Sequence, residues 1–96
     1  MIKYLREVEQ DLAKLPRDVR VMYDQQIEKL KRNIYLGQAL TSNLSDCRKI
    51  YFGNHSEYRI IYLIKGSEVC IVVAVGERND LEVYKLAAGR LNRRWV

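Results

Sequence analysis

The chain has few of the residues that build metal centres or disulfide frameworks. It contains two cysteines, Cys47 and Cys70, and one histidine, His55, with no CxxC spacing. Zinc sites need several such ligands at short spacing, and disulfide-rich domains need a larger set of cysteines. We therefore expect no metal site, and both cysteines should be ordinary reduced thiols.

Long apolar runs are also missing. No window approaches the roughly 18 apolar residues of a membrane span, and Lys3 and Arg6 stand where a secretory signal would be apolar. The sequence lacks the glycine-rich phosphate loops, HExxH and GxSxG of common nucleotide, metal and hydrolase sites. We expect a cytoplasmic protein that uses no cofactor and does not associate with a membrane.

The composition is that of a folded, basic protein. Apolar residues make up 48% and charged residues 30% of the 96 residues, and the formal net charge is +5. This length suits one compact core, so residues 1–96 are expected to form a single domain. The positive charge suits a polyanionic partner such as nucleic acid, or an acidic protein.

The first third of the chain predicts two helices. Apolar residues of the first segment recur at helical steps, although a short strand is an alternative for its first few residues: Ile2, Leu5, Val8, Leu12 and Leu15. Pro16 fits the first turn of a second helix, in which apolar residues continue at helical spacing: Val19, Tyr23, Ile27, Leu30 and Ile34. Two helices joined here are expected to pack as an antiparallel hairpin.

Beyond Asp46 the apolar period changes to that of strands. Along the first of them, Ile50 and Phe52 should face the core with Arg48 on their side, while Lys49 and Tyr51 lie on the other, more open face. Turn clusters at 53–56 and 65–67 separate two further strands, 58–64 and 69–75, which gives an antiparallel meander. The last strand is apolar on both faces, as expected for an interior position.

A final helix should follow a cap at Asn79 or Asp80, with one apolar side: Val83, Leu86, Ala87 and Leu91. The expected fold class is therefore α+β. A helical hairpin packs on a three- to four-stranded antiparallel sheet, and a short C-terminal helix completes the domain.

The order of several short segments resembles the RelE/ParE toxins of type II toxin–antitoxin systems. These segments are an LxxLP junction at 12–16, DCRKI at 46–50, YRIIY at 58–62, VGER at 75–78 and EVY at 82–84. The likeness favours the RelE-like branch, whose members cut messenger RNA in the ribosomal decoding site without a metal. It implies a cognate antitoxin, the ribosome and mRNA as partners, with operator DNA contacted only through the antitoxin complex.

The resemblance also implies a catalytic set of basic residues and one tyrosine: Lys49, Arg59, Arg78 and Tyr84. Further residues are expected to bind RNA: Tyr51, Arg48 and Arg90. Tyr51 departs from the family pattern, because RelE has its second active-site lysine there. Lys49 alone, or Lys49 with Tyr51, would then have to activate the attacking hydroxyl.

Cleavage of RNA by its own 2′-OH requires removal of the hydroxyl proton, neutralisation of charge on the phosphorane-like transition state and protonation of the leaving 5′-oxygen. Arg59 would hold the scissile phosphate, and Arg78 would stabilise charge or supply the leaving-group proton. Like-charge repulsion from these arginines is expected to lower the pKa of Lys49. Tyr84 would stack on an extracted base.

Simpler roles are also compatible with these residues. Lys49 and Arg59 can be solvated charges on an exposed sheet face, and Tyr84 can be a packing residue. At the level of function, the alternatives are a ParE-like inhibitor of DNA gyrase, and a catalytically silent relative that occupies the ribosome or another acidic surface through its charge.

Overall fold

A computed structural model describes residues 1–41, 44–66, 68–77 and 82–95. The elements in chain order are β1 (Ile2–Tyr4), α1 (Glu7–Ala13), α2 (Arg17–Arg32), β2 (Gln38–Ala39), β3 (Cys47–Phe52), β4 (Tyr58–Lys65), β5 (Val69–Glu77) and α3 (Glu82–Trp95). The strands form one five-stranded sheet in the order β1-β5-β4-β3-β2. The α+β class is confirmed, but the sheet is larger than expected because β1 and β2 are too short to give a periodic sequence signal.

The antiparallel meander is confirmed in β3, β4 and β5. Gly53 and Gly66 lie in the two connecting turns with φ of +104° and +69°, a region that glycine enters without steric cost. The ladder between β4 and β5 shifts register after Ile61, so that Val73 is skipped between the partners of Ile61 and Tyr62. Such a bulge changes the direction of the strand locally.

The N-terminal segment begins as a strand, the alternative that the sequence left open. β1 pairs in parallel with β5, with Ile2 opposite Cys70 and Tyr4 opposite Val72. The sheet is therefore mixed, whereas we expected it to be wholly antiparallel. A helix starting at Ile2 would leave this edge of β5 unpaired, which the parallel strand avoids.

The two faces of the sheet carry separate apolar clusters. The cluster on the side of α1 and α2 contains Ile50 and Phe52, and the cluster on the side of α3 contains Cys47. This division confirms the alternation predicted for β3. Both clusters draw buried residues from β5, which lies between β1 and β4, so its expected interior position is also confirmed.

Tyr62 fixes the segment that follows α2. Its side chain is completely buried, and its hydroxyl donates to the Ile34 carbonyl at 2.8 Å while accepting from the Gly37 amide at 2.8 Å. A Cβ on Gly37 would lie 2.5 Å from the Lys49 carbonyl oxygen, so only glycine allows this close approach of the two backbones. These contacts hold β2 against the edge of β3.

A buried ion pair covers the edge of β5 where β1 ends. Asp11 accepts from the Val75 amide at 3.1 Å, and Arg90 donates to the Val73 carbonyl at 2.8 Å. Both terminal nitrogens of the Arg90 guanidinium also donate to the Asp11 carboxylate, at 2.7 and 2.8 Å. α1 and α3 are thereby joined across the sheet edge.

The inner side of α3 differs from the sequence expectation. Val83 and Ala87 are buried as expected, whereas Leu86 is 43% exposed and Arg90 is buried with them. Positions 83, 87 and 90 share one helical face, and position 86 lies at its rim. The expected cap residues Asn79 and Asp80 lie outside the described residues.

Candidate active site

The candidate site lies on the sheet face that α3 covers, and it includes a cross-strand pair from β3 and β4. Tyr51 of β3 lies opposite Arg59 of β4, and Lys49 lies opposite Ile61 in the same ladder. Because strand side chains alternate, Lys49, Tyr51 and Arg59 project to one face. All three are partly exposed, in contrast to the buried Ile50 between the two β3 residues.

Tyr84 reaches the same place from α3. The Arg59 guanidinium carbon lies 4.7 Å from the centre of the Tyr84 ring and 5.2 Å from that of Tyr51. The Lys49 ammonium lies 5.0 Å from the Tyr51 ring centre and 6.0 Å from that of Tyr84. Two cations and two aromatic rings therefore form one cluster, here called the cation–tyrosine cluster, at distances typical of cation–π contact.

Positive charge in the cluster is not neutralised by a carboxylate of the described residues. The salt bridges of the described residues join Lys31 to Glu28 and Arg90 to Asp11, and neither includes Lys49 or Arg59. The Arg59 Nε is buried without a hydrogen-bond partner in the described ranges. A buried donor left unpaired costs about 1–3 kcal/mol. The Arg59 side chain is otherwise partly exposed, and its charge without a carboxylate partner suits an anion.

Of the two neighbours Tyr51 and Lys49, Tyr51 has the lowered pKa that favours a role as a base. Hydrogen bonding to Lys49, with the charges of Lys49 and Arg59, lowers the pKa of Tyr51 below its usual 10.0. The same hydrogen bond raises the pKa of Lys49, so the expectation that neighbouring arginines lower it is wrong. The physical reason is that a phenolate beside the ammonium stabilises its charged form.

Arg48 and Arg90 lie apart from the cation–tyrosine cluster. Arg48 is on the opposite face of β3, where it donates to the Gly37 carbonyl and stacks 5.2 Å from the Tyr35 ring centre. Arg90 is only 6% exposed and is held by Asp11, so its expected contact with RNA is wrong. Its guanidinium donates to Asp11 and to the Val73 carbonyl inside the protein, so it is not available to RNA. Arg78, the remaining predicted catalytic residue, lies outside the described residues.

Sequence reasoning missed a groove that starts at the same cluster. It has a volume of about 300 Å³ and is lined by Gln26, Lys29, Leu36, Gly37, Gln38, Lys49, Ile50 and Tyr51. The polar residues come from α2 and β2, which approach β3 only in the folded chain. Their spacing in the sequence carries no signal of that meeting.

No group of three or more His, Cys, Asp or Glu side chains in the described ranges is arranged to hold a metal ion. Within the same ranges, no helix is both long and apolar enough to cross a membrane. Both cysteines are buried thiols, and burial raises the pKa of Cys47 to about 11 and that of Cys70 to about 12. A thiol with so high a pKa is a poor nucleophile near neutral pH.

Comparison with known proteins gives consistent matches. The family model for the ParE toxin of type II toxin–antitoxin systems, parDE, matches residues 2–82. A RelE-like toxin protein of Escherichia coli is 28% identical over 91 residues, which cover 94% of this chain and 95% of that protein.

Solved structures of toxins share the fold. The free state of an E. coli RelE variant with two arginines replaced by alanine matches with a TM-score of 0.77 and 24% identity, over 95% of this chain and 96% of that one. The same variant bound to an antitoxin RelB peptide gives 0.69 and 24%, over 91% and 92% of the two chains. A RelBE toxin–antitoxin complex from Mycobacterium tuberculosis gives 0.66 and 21%, over 81% and 96%.

Proposed function

This chain belongs to the ParE toxin family of type II toxin–antitoxin systems. From its likeness to a RelE-like toxin protein and the geometry of the cation–tyrosine cluster, we propose that it is a toxin that cuts messenger RNA in the ribosomal A site. The observation that carries the proposal is the Arg59 guanidinium. It lies between two tyrosine rings with a buried, unpartnered Nε, beside a lysine that has no carboxylate partner in the described ranges. A phosphodiester supplies the missing acceptors, and RNA bases suit the aromatic rings.

Tyr51 is the proposed general base. Its phenolate, stabilised by Lys49 and Arg59, takes the proton of the 2′-OH, and the freed oxygen attacks the adjacent phosphorus. The bond from phosphorus to the 5′-oxygen then breaks, which leaves a 2′,3′-cyclic phosphate and a 5′-hydroxyl. Arg78 remains the residue predicted to stabilise charge or to supply the proton that the leaving 5′-oxygen takes up.

Lys49 and Arg59 are the proposed electrostatic residues. Arg59, whose side chain is partly exposed, offers its guanidinium to a phosphate oxygen as charge builds on the phosphorane-like transition state. Lys49 remains an ammonium because its pKa is raised by the hydrogen bond with Tyr51, so it keeps both the phenolate and the phosphate charge neutralised. Tyr84, partly exposed on α3, provides a stacking surface for a base.

The proposed partners follow from this membership and from the likeness to RelE toxins. A cognate antitoxin would bind this chain and neutralise it, as the solved complexes contain toxin and antitoxin together. The ribosome and mRNA are the proposed target, and operator DNA would be reached only through the antitoxin complex. We further propose that residues 1–96 act as a single domain in the cytoplasm, where ribosomes are found.

The test uses ribosomes programmed with a defined message in a purified translation system. New 5′ ends are mapped with the wild-type chain, with Arg59→Ala and with the control Arg20→Ala, an exposed arginine on α2. We expect A-site cuts with the wild type and Arg20→Ala, and a loss of about 10²- to 10³-fold with Arg59→Ala. An intact message with the wild-type chain would reject the proposal.

A second candidate is inhibition of DNA gyrase. It is favoured by the family model, which is that of the ParE toxin, and by Tyr51 in place of the second lysine of RelE. A supercoiling assay run beside the mapping separates the two functions. Inhibited gyrase with uncut message would assign the chain to gyrase, whereas inhibited translation with uncut message would indicate a silent ribosome-binding relative.

A further inference from the structure

The groove that opens beside the cation–tyrosine cluster has no role in the proposed chemistry. It runs from Lys49 and Tyr51 over the edge of β3 toward Gln26 and Lys29 on α2. Lys49 and Tyr51 therefore belong to both the groove and the cluster. A ligand bound at the cluster that extended over this edge would lie in the groove.

The shortness of β2 leaves this edge open. β2 pairs with β3 only at Gln38 opposite Lys49 and Ala39 opposite Arg48. From Ile50 onward, β3 has no strand of the described residues on that side. The Tyr62 hydroxyl holds the Gly37 amide, which fixes the wall from which Gln38 projects. Hydrogen-bonded backbone thus borders the groove on this side.

The chemistry of the lining suits one nucleotide. Gln26 and Gln38 supply amide donors and acceptors of the kind that read base edges, and Leu36, 42% exposed, supplies an apolar surface. Lys29 and Lys49 carry positive charge, and the lining contains no carboxylate. A volume of about 300 Å³ is close to that of a single nucleotide.

We propose that this groove is a nucleotide subsite that holds the nucleotide next to the scissile phosphate, with Gln26 and Gln38 reading its base and Lys29 binding its phosphate. The inference rests on the proposed RNA cleavage and deepens it, because it assigns sequence preference to residues outside the catalytic cluster. A strand of a partner protein could also pair with an open sheet edge. The two lysines and two amides favour the nucleotide.

The first test measures preference and rate separately. Ribosome-bound messages randomised on both sides of the cut are treated with the wild type, Gln26→Ala/Gln38→Ala, Lys29→Gln and Arg20→Gln, and the 5′ ends are sequenced. We expect the double variant to reduce base preference at one flanking position by about tenfold. Lys29→Gln should slow cutting of all sequences by about 3- to 10-fold, since a phosphate contact carries no sequence information.

Arg20→Gln is the matched control, because it removes the same charge from the same helix at an exposed residue outside the groove. If the groove variants give the same preference and rate as Arg20→Gln, the inference is overturned. Groove variants that change only antitoxin binding would also overturn it, and would assign the edge to a protein strand.

A second measurement does not depend on cleavage. A message with 2′-deoxyribose at the cut position cannot be cleaved, and 4-thiouridine is placed beside it on each side in turn. From one of these positions we expect a photocrosslink to the segment 26–38. If the wild-type chain cuts the unmodified message but the uncleavable message crosslinks only to other segments, the subsite alone is rejected. Neither cutting nor any crosslink would reject the proposed function together with it.

Discussion

Two arginines in the same domain, Arg90 and Arg59, lie in opposite electrostatic settings. Arg90 is buried, and both of its terminal guanidinium nitrogens donate hydrogen bonds, with the Asp11 carboxylate and the Val73 carbonyl as acceptors. Arg59 is partly exposed, lies between two tyrosine rings, and keeps a buried Nε without a partner in the described ranges. The charge of Arg90 is neutralised inside the protein, whereas that of Arg59 has no carboxylate partner in the described ranges and is available to an external anion. Stability and function are therefore expected to depend on different arginines.

The largest effect is expected from breaking the completed pair. Asp11→Ala would leave the Arg90 guanidinium buried with no carboxylate and remove the acceptor of the Val75 amide. The free energy of unfolding should fall by about 3–5 kcal/mol, measured by urea denaturation. Asp11→Leu with Arg90→Met removes both charges and should recover a large part of the loss. An unchanged midpoint for Asp11→Ala would show that the pair does not hold α1 to α3.

Arg59 should show the reverse behaviour. Arg59→Met keeps the aliphatic stem but removes the unpaired buried donor, so the free energy of unfolding should stay the same or rise by up to about 1 kcal/mol. Cleavage should fall by about 10²- to 10³-fold, because the phosphate loses its main donor. Urea denaturation and 5′-end mapping on the same preparation measure the two effects. A marked loss of stability would mean that Arg59 is a structural residue like Arg90.

The cation–tyrosine cluster, unlike the buried pair, also predicts that the cleavage rate depends on pH. As the proposed general base, Tyr51 would have to be deprotonated, so the cleavage rate should rise with pH up to its pKa, which Lys49 and Arg59 hold below 10.0. Lys49 stays protonated through this range because its own pKa is raised above 10.5. Tyr51→Phe should cut about 10²-fold more slowly and lose the rising limb in single-turnover assays.

Tyr51→Lys is the matched variant for that profile. It restores the residue type of the RelE pattern, and the new ammonium lies beside Lys49 and Arg59, where like charges lower its pKa. Cleavage should persist with a different apparent pKa. If Tyr51→Phe keeps the wild-type profile, the base is another group.

Much of the fold could be predicted from the sequence because it depends on local periodicity. The alternation around Ile50 gave the two faces of β3, and the glycine turns gave the meander. β2 was not predicted, and a strand at β1 was only an alternative to a helix, because each of these strands is stabilised by pairing with a distant segment. A run of two or three residues has no period of its own.

The sequence suggested which residues form the site, but the direction of their pKa shifts could be learned only from the fold. Lys49, Arg59 and Tyr84 were named from a resemblance, but the hydrogen bond that lowers the pKa of Tyr51 depends on how β3 places it beside Lys49. Arg90 was misassigned for the same reason. In the sequence it is one of several basic residues near the C-terminus, and only the meeting of α3 with Asp11 shows that it is buried.

The smallest effect is expected at Tyr84, the member of the cation–tyrosine cluster that α3 contributes. Its ring contacts both cations, so Tyr84→Phe should keep cation–π contact and stacking and change cleavage by less than about threefold. Tyr84→Leu keeps apolar bulk on α3 but removes the ring, and should cost about 1–2 kcal/mol of RNA binding, or about 5- to 30-fold in single-turnover cleavage at low toxin concentration. Urea denaturation serves as the control, since both variants should unfold near the wild-type midpoint. If Tyr84→Phe is as slow as Tyr84→Leu, the hydroxyl is the active group, and Tyr84 takes part in proton transfer instead of stacking.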